Sequence, residues 1–152
     1  CEVTTPILEK MMALTKPSLL IILSCLVVTV RASISKMSRY WKAEGVFSAS
    51  DPGKWIGKEA THVPLLTVFT NKTAFGIQRW ANVVTPHVHT WDHGIIKQWI
   101  ENERGEVIVY DMTRDPDNSS VINTTKELPP TLQQGTSLRA FSHCNLHGTW
   151  MG

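Results

Sequence analysis

From residue 55 onward, apolar and β-branched residues fall into short runs broken by polar ones, and no run keeps the three-and-four spacing of a helix of normal length. His62-Val63-Pro64-Leu65-Leu66-Thr67-Val68-Phe69 predicts a strand that Asn71 stops. Ala74 to Val84 predicts a second, with Phe75, Ile77, Trp80 and Val83 set among polar neighbours. Ile95, Lys97 and Trp99 alternate with Ile96, Gln98 and Ile100; Asn102-Glu103-Arg104-Gly105 then turns the chain into Glu106-Val107-Ile108-Val109-Tyr110, the clearest hairpin. A polar stretch from Thr113 to Gln134 holds Pro129-Pro130 and reads as irregular, and Ser137 to Phe141 gives a last short strand before Cys144. Short strands separated by turns point to an all-β fold, an antiparallel β-sandwich or a small barrel.

The segment 33–54 is mixed and polar, carries Trp41 and the turn Asp51-Pro52-Gly53, and reads as a linker leading into a domain over 55–152. Upstream, the chain opens with Cys1 and offers a start only at Met11 or Met12, so residues 1–10 read as an upstream or non-native segment. Residues 11–32 follow the grammar of a signal peptide: Lys16, the apolar run Leu19 to Val30, then Val30-Arg31-Ala32 before a cut after Ala32. That run falls short of the roughly 20 residues that span hydrocarbon, so no membrane attachment is expected after cleavage. Asn71-Lys72-Thr73, Asn118-Ser119-Ser120 and Asn123-Thr124-Thr125 are acceptor sequons in stretches that read as surface loops, which fits a glycoprotein secreted or held in the secretory lumen.

With 152 residues, 42% of them hydrophobic and 18% charged, the chain suits one compact domain. Fifteen basic against thirteen acidic residues, a formal charge of +2, give no surface for nucleic acid. Three cysteines make no disulfide framework, and after the expected cut only Cys144 remains. A single thiol in an oxidising compartment calls for burial, another chain or a metal.

The six histidines, at 62, 87, 89, 93, 143 and 147, are the unusual feature. Thr85-Pro86-His87-Val88-His89-Thr90-Trp91-Asp92-His93-Gly94 places three imidazoles behind a stiffening proline, where they can reach one ion or form a merely His-rich loop. In His143-Cys144-Asn145-Leu146-His147-Gly148-Thr149-Trp150, the two-residue gap between Cys144 and His147 lets one turn present both to a metal. It also lets the amides after the cysteine point back at its sulfur. One thiolate among several imidazoles suits a redox iron with an open position better than a structural zinc.

Cys144-Asn145-Leu146-His147-Gly148-Thr149-Trp150 resembles the C-terminal signature of superoxide reductases, the neelaredoxin and desulfoferrodoxin family. Thr85-Pro86-His87 with His93, followed by Trp99-Ile100-Glu101, is similar to that family's central segment, and His62-Val63-Pro64 to the stretch that supplies its first histidine. The resemblance spans about Trp55 to Trp150 and implies an immunoglobulin-like antiparallel β-sandwich of about seven strands. It implies one mononuclear non-haem iron, Fe(2+)/Fe(3+), per chain, with His62, His87, His93 and His147 as equatorial ligands and Cys144 as the axial one. His89 is left as a surface or supporting residue, His143 as an exposed neighbour of the thiolate. No N-terminal cysteine set matches the second iron of two-iron members, so a one-iron form is implied. Where the family carries a Glu-Lys pair directly before the first histidine, this chain has Ala60-Thr61, with Lys58-Glu59 just upstream as candidates for the catalytic role.

Four neutral imidazoles and one thiolate leave ferrous iron with a net charge of about +1 and one open position, which attracts an anion as small as superoxide. The implied reaction joins one superoxide, one electron and two protons into one hydrogen peroxide, with an external electron donor, rubredoxin-like in the family. The resemblance also implies a homo-oligomer, dimer or tetramer. Two other readings stay open: a cupin-like metal enzyme built on His87, His89 and His93 without Cys144, and a non-catalytic secreted β-sandwich that serves as a binding module.

Overall fold

The computed structural model describes residues 33, 36, 38–74, 76–112 and 120–152. The expected leader and its cut, residues 1–10, Phe75 and the sequon at Asn118 lie outside the described residues. The chain divides into two compact units, Cys1–Ile34 and Ser35–Gly152. In the second, the described strands are β1 (Val46–Ser48), β2 (Leu65–Thr73), β3 (Gly76–Thr85), β4 (Ile95–Asn102), β5 (Val107–Met112), β6 (Ile122–Glu127), β7 (Leu138–Cys144) and β8 (Gly148–Met151). A 3-10 turn, Gly53–Trp55, and a single helical turn, α1 (Glu59–His62), lie between β1 and β2.

Two sheets form an immunoglobulin-like sandwich: a five-stranded sheet ordered β1-β8-β7-β4-β5 and a three-stranded sheet ordered β2-β3-β6. All neighbours are antiparallel except β1, which runs parallel to β8. Ala81 and Val83 of the small sheet pack against Ile100, Val109 and Ala140 of the large one, with Leu128 alongside. Gln98 ties the layers together in the interior: its Nε2 donates to Thr85 Oγ1 at 2.8 Å, and its Oε1 accepts from Thr124 Oγ1 at 2.7 Å. These bonds satisfy polar atoms that would otherwise be costly to bury.

The β4–β5 hairpin forms as the alternation predicts. Gly105 N donates to Asn102 O at 3.0 Å, and Gly105 takes the positive φ of 74° that the turn needs. Other elements depart from expectation. His62-Val63-Pro64 is not strand: Val63 N closes onto Glu59 O at 3.0 Å, ending α1, and β2 starts only after Pro64, which has no N–H to give a ladder. The polar stretch over 113–134 contains β6, whose period of two is carried by threonine: Ile122 and Thr124 face in while Asn123 and Thr125 face out. Two sequons expected in loops therefore sit on strands, Asn71 in β2 and Asn123 in β6.

The segment 33–54 does more than connect. It supplies β1, which is too short to show alternation, and it covers the outer face of the large sheet through Glu101. That carboxylate, with a side chain 4% exposed, accepts from Lys42 Nζ at 2.8 Å, from Trp99 Nε1 at 2.9 Å and from Ser38 Oγ. Trp99 in turn stacks on Phe141, ring centroids 5.2 Å apart. Removing one partner of a buried ion pair strands the other. Glu101→Ala is expected to lower stability by about 3 kcal/mol, read as a lowered urea midpoint at unchanged slope; an unchanged midpoint contradicts this anchoring.

Candidate metal centre

Five side chains from three separated stretches meet at one end of the sandwich. His62, His87, His93, Cys144 and His147 each offer one ligand atom, and these atoms all lie within 4.8 Å of one another. Each arrives by a different local device.

His62 closes α1 and is buried. Its Nδ1 donates to Lys58 O at 3.0 Å, which leaves Nε2 as the lone-pair nitrogen facing the cluster. Ser142 Oγ, buried in β7, donates to His62 O at 2.7 Å and fixes the end of that turn. His87 follows Pro86, and its Nδ1 donates to Val88 O, so its Nε2 also faces inward. His93 sits in a turn stapled by Thr90, whose backbone N donates to His93 O at 2.8 Å while its hydroxyl accepts from His93 N at 3.2 Å. Cys144 ends β7, and His147 lies in the tight connection to β8. Gly148, paired with Cys144, takes a φ of 75° there, and Phe47 lies 3.2 Å from where a Cβ would stand.

Asn145 joins the two loops. Its Oδ1 accepts from Gly94 N at 3.0 Å, its Nδ2 donates to Asp92 O at 2.7 Å, and its backbone N donates to Gly94 O at 3.2 Å. The loop carrying His87 and His93 is thereby held to the turn carrying Cys144 and His147.

The imidazoles form a ring of four. Centroids of successive rings, 62 to 87, 87 to 93, 93 to 147 and 147 to 62, are 4.5, 4.6, 4.8 and 4.7 Å apart, each pair steeply inclined. The 62 to 93 separation of 6.4 Å is the diagonal of a square with such sides. Cys144 Sγ lies 3.4 Å from His147 Nδ1 and 3.7 Å from His87 Nε2, two opposite corners, so the sulfur stands over the middle of the square. Three imidazoles present Nε2 and His147 presents Nδ1.

Burial, together with the neighbouring imidazoles, pushes His62 and His87 down to about 4. Burial and then the charges of His93 and Lys58 lower His147. Burial pushes the Cys144 thiol up, while the N–H groups of Leu146 and His147 and the Lys58 charge pull it down. The amides after the cysteine thus aim at the sulfur as the two-residue spacing anticipates. The donor set, neutral imidazoles with one sulfur whose basicity is tuned by N–H donors, fits a mid-row redox metal such as iron.

Not every candidate joins this group. His89 is 5% exposed, with its ring packed against Gly94, where any added side chain would collide with it. It is a packing residue inside the histidine loop rather than a surface one, and it is not among the five grouped donors, although a cupin-like site would draw on it. His143 is not exposed either: it points from β7 to the opposite face from Cys144, its Nδ1 2.8 Å from Thr149 Oγ1 and its ring 4.6 Å from Trp41. Burial, then Lys97, holds it down at about 4. The exposed Lys58 reaches Cys144 and His147 electrostatically. Glu59, half-buried at the start of α1, has no hydrogen bond or ion pair from its carboxylate to a described residue of the cluster.

Sequence reasoning assigns no role to Asn145, Ser142, Thr90 or Trp55, although all act on the donors. Trp55 lies edge-on to the His147 ring, centroids 4.7 Å apart, and Trp150 lies 5.3 Å from the His62 ring. Only Thr90, three residues before His93, leaves a turn signal that could have been read. Asn145→Ala removes the two side-chain bonds of this clamp and is expected to weaken metal affinity about 10- to 100-fold, measured by titration against a chelator; affinity within twofold of the parent contradicts the clamp.

The family model described as desulfoferrodoxin matches residues 54–152. No curated protein matches the chain. Among solved structures, a variant of the superoxide reductase (neelaredoxin) from Ignicoccus hospitalis superposes with a TM-score of 0.52 at 21% identity, covering 72% of this chain and 91% of that one. A second structure of the Ignicoccus hospitalis protein gives 0.49 at 19% identity, over 70% and 89%. A variant of the Archaeoglobus fulgidus protein in its reduced form gives 0.43 at 21%, over 66% and 90%. The first of these likenesses carries the fold. The family match takes in all five donors, and on it the chain belongs to the desulfoferrodoxin family.

Proposed function

We propose that the chain is a superoxide reductase working at a single mononuclear non-haem iron held by His62, His87, His93, His147 and Cys144. The observation that carries this reading is the square of imidazoles with one sulfur over its middle. The balanced reaction takes one superoxide, one electron and two protons to one hydrogen peroxide. Iron, when bound, supplies the electron and is rereduced by an external one-electron donor.

The chain's own groups do the rest. His62 and His87, neutral well below pH 7, need lose no proton to bind a cation. Their Nδ1 donors are committed to Lys58 O and Val88 O, which fixes the tautomers. Cys144, at the end of a buried strand, holds its sulfur on one side of the square and leaves the other side for the substrate. Lys58, whose positive charge acts on Cys144 and His147, helps draw an anion toward the cluster. Glu59 receives no role. Assembly as a homodimer or homotetramer, and export into an oxidising compartment with removal of residues 11–32, belong to the same proposal.

The cupin-like alternative and this reading part at two substitutions. Cys144→Ser is expected to lower superoxide reduction at least about 100-fold while His89→Ala retains most of it. The reverse pattern, in a stopped-flow superoxide assay of iron-loaded protein, overturns the proposal.

Metal uptake carries a pH signature. The raised Cys144 thiol is protonated at neutral pH, whereas His62 and His87 are not. Binding near pH 7 is expected to release about one proton, and affinity to rise about tenfold per pH unit. Calorimetry in buffers of different ionisation enthalpy checks this; release of two or more protons contradicts it. The metal-free protein is expected to lose stability as pH falls from about 6.5 toward 4, because the unfolded chain takes up protons that His62 and His87 refuse while folded. An acid titration of the melting temperature that stays flat across that window contradicts it.

A further inference from the structure

The outer face of the three-stranded sheet is not used by the metal centre. In β3, Ala81, Val83 and Thr85 are buried while Trp80, Asn82 and Val84 look outward, half-buried. The register places Leu65, Phe69 and Asn71 of β2 on that outward face, opposite Val84, Trp80 and Gln78, and places Asn123 of β6 opposite Val84. Both described sequon asparagines therefore share one solvent-facing surface and both are exposed. For Asn123 strand alternation decides this, since Ile122 and Thr124 on either side are buried.

Between the two acceptors lies a strip of two apolar pairs, Leu65 with Val84 and Phe69 with Trp80, on either side of the row Thr67-Asn82-Thr125; Leu65 is 62% exposed and Phe69 41% exposed. On the other side, β2 is the edge strand of its sheet among the described residues. Such an edge with apolar residues beside it invites association unless something shields it. From the strand spacings, Asn71 and Asn123 stand roughly 20 Å apart at diagonal corners of the strip, which leaves room for two bulky groups over it.

We propose that Asn71 and Asn123 are N-glycosylated and that their glycans shield the strip formed by Leu65, Phe69, Trp80 and Val84. The inference rests on the export reading above. Each side-chain amide nitrogen forms a bond to the anomeric carbon of a lipid-pyrophosphate-linked oligosaccharide. The carbon–oxygen bond to pyrophosphate breaks, and the lipid pyrophosphate departs with the amide proton. Thr73 and Thr125 supply the hydroxyls at the required positions. Attachment precedes folding, so what the fold must provide is an outward asparagine, and it does so twice on one face. Aromatic rings there give the apolar faces of sugars a surface to pack on, and the glycans add solubility where the sheet is least polar.

The test is translation of the full chain in the presence of endoplasmic-reticulum membranes, with protease protection and glycosidase-sensitive mobility read together. Protection is expected, and Asn71→Gln and Asn123→Gln are each expected to remove one mobility step. A chain that is protected but carries no modification at either position overturns the glycan proposal and leaves export standing. A chain that stays accessible to protease overturns export and the glycans with it, while superoxide reduction by iron-loaded protein is unaffected. Protein secreted with both substitutions is expected to bind a hydrophobic dye at least twofold more strongly than the glycosylated parent, and Phe69→Ser in that background to reverse the increase. Equal dye binding, or dissociation of an oligomer by Leu65→Ser, assigns the strip to another occupant and overturns the shielding role.

Discussion

The centre depends on one geometrical constraint: imidazoles from three stretches, remote in sequence, must each be held so that one nitrogen faces a common point. Backbone carbonyls at Lys58 and Val88 meet this for His62 and His87. Asn145 meets it between loops, since its three bonds to Asp92 and Gly94 set the distance between the two histidine-bearing turns. Four side chains that are each unremarkable thereby become a square with a sulfur over it.

The sandwich matters chiefly as a frame for that constraint. β7 lies at the middle of the large sheet between β8 and β4, and its Cys144 sits beside Ile95 of β4 in a small buried cluster that also includes Ile122. Cys144 is therefore fixed by the core, and the loops adapt to it. On the far face, Glu101 locks residues 38–42 against Trp99, and His143 packs under Trp41. Adjacent residues of β7 thus serve unrelated ends: 143 closes the outer face and 144 points to the donors, as the period of two requires.

Much of this was legible in the chain. The hairpin from Ile95 to Tyr110 shows because alternation and a Gly-containing turn coincide, and the donor set shows because cysteine and histidine spacing is local within each loop. β6 hides because threonine carries its inward positions, and β1 because three residues make no pattern. His62 reads as the start of a strand because Val63 and Pro64 look extended, whereas the backbone makes one helical turn first, which is what aims its ring. The burial of His89 and His143, and the work of Asn145, are tertiary facts that no local pattern encodes.

Everything at this centre rests on the donor set. X-ray absorption at the iron edge of the iron-loaded protein is the direct measurement. One sulfur and four imidazole scatterers are predicted, with the sulfur lost on Cys144→Ser. A spectrum without sulfur, or one that Cys144→Ser leaves unchanged, would contradict the account.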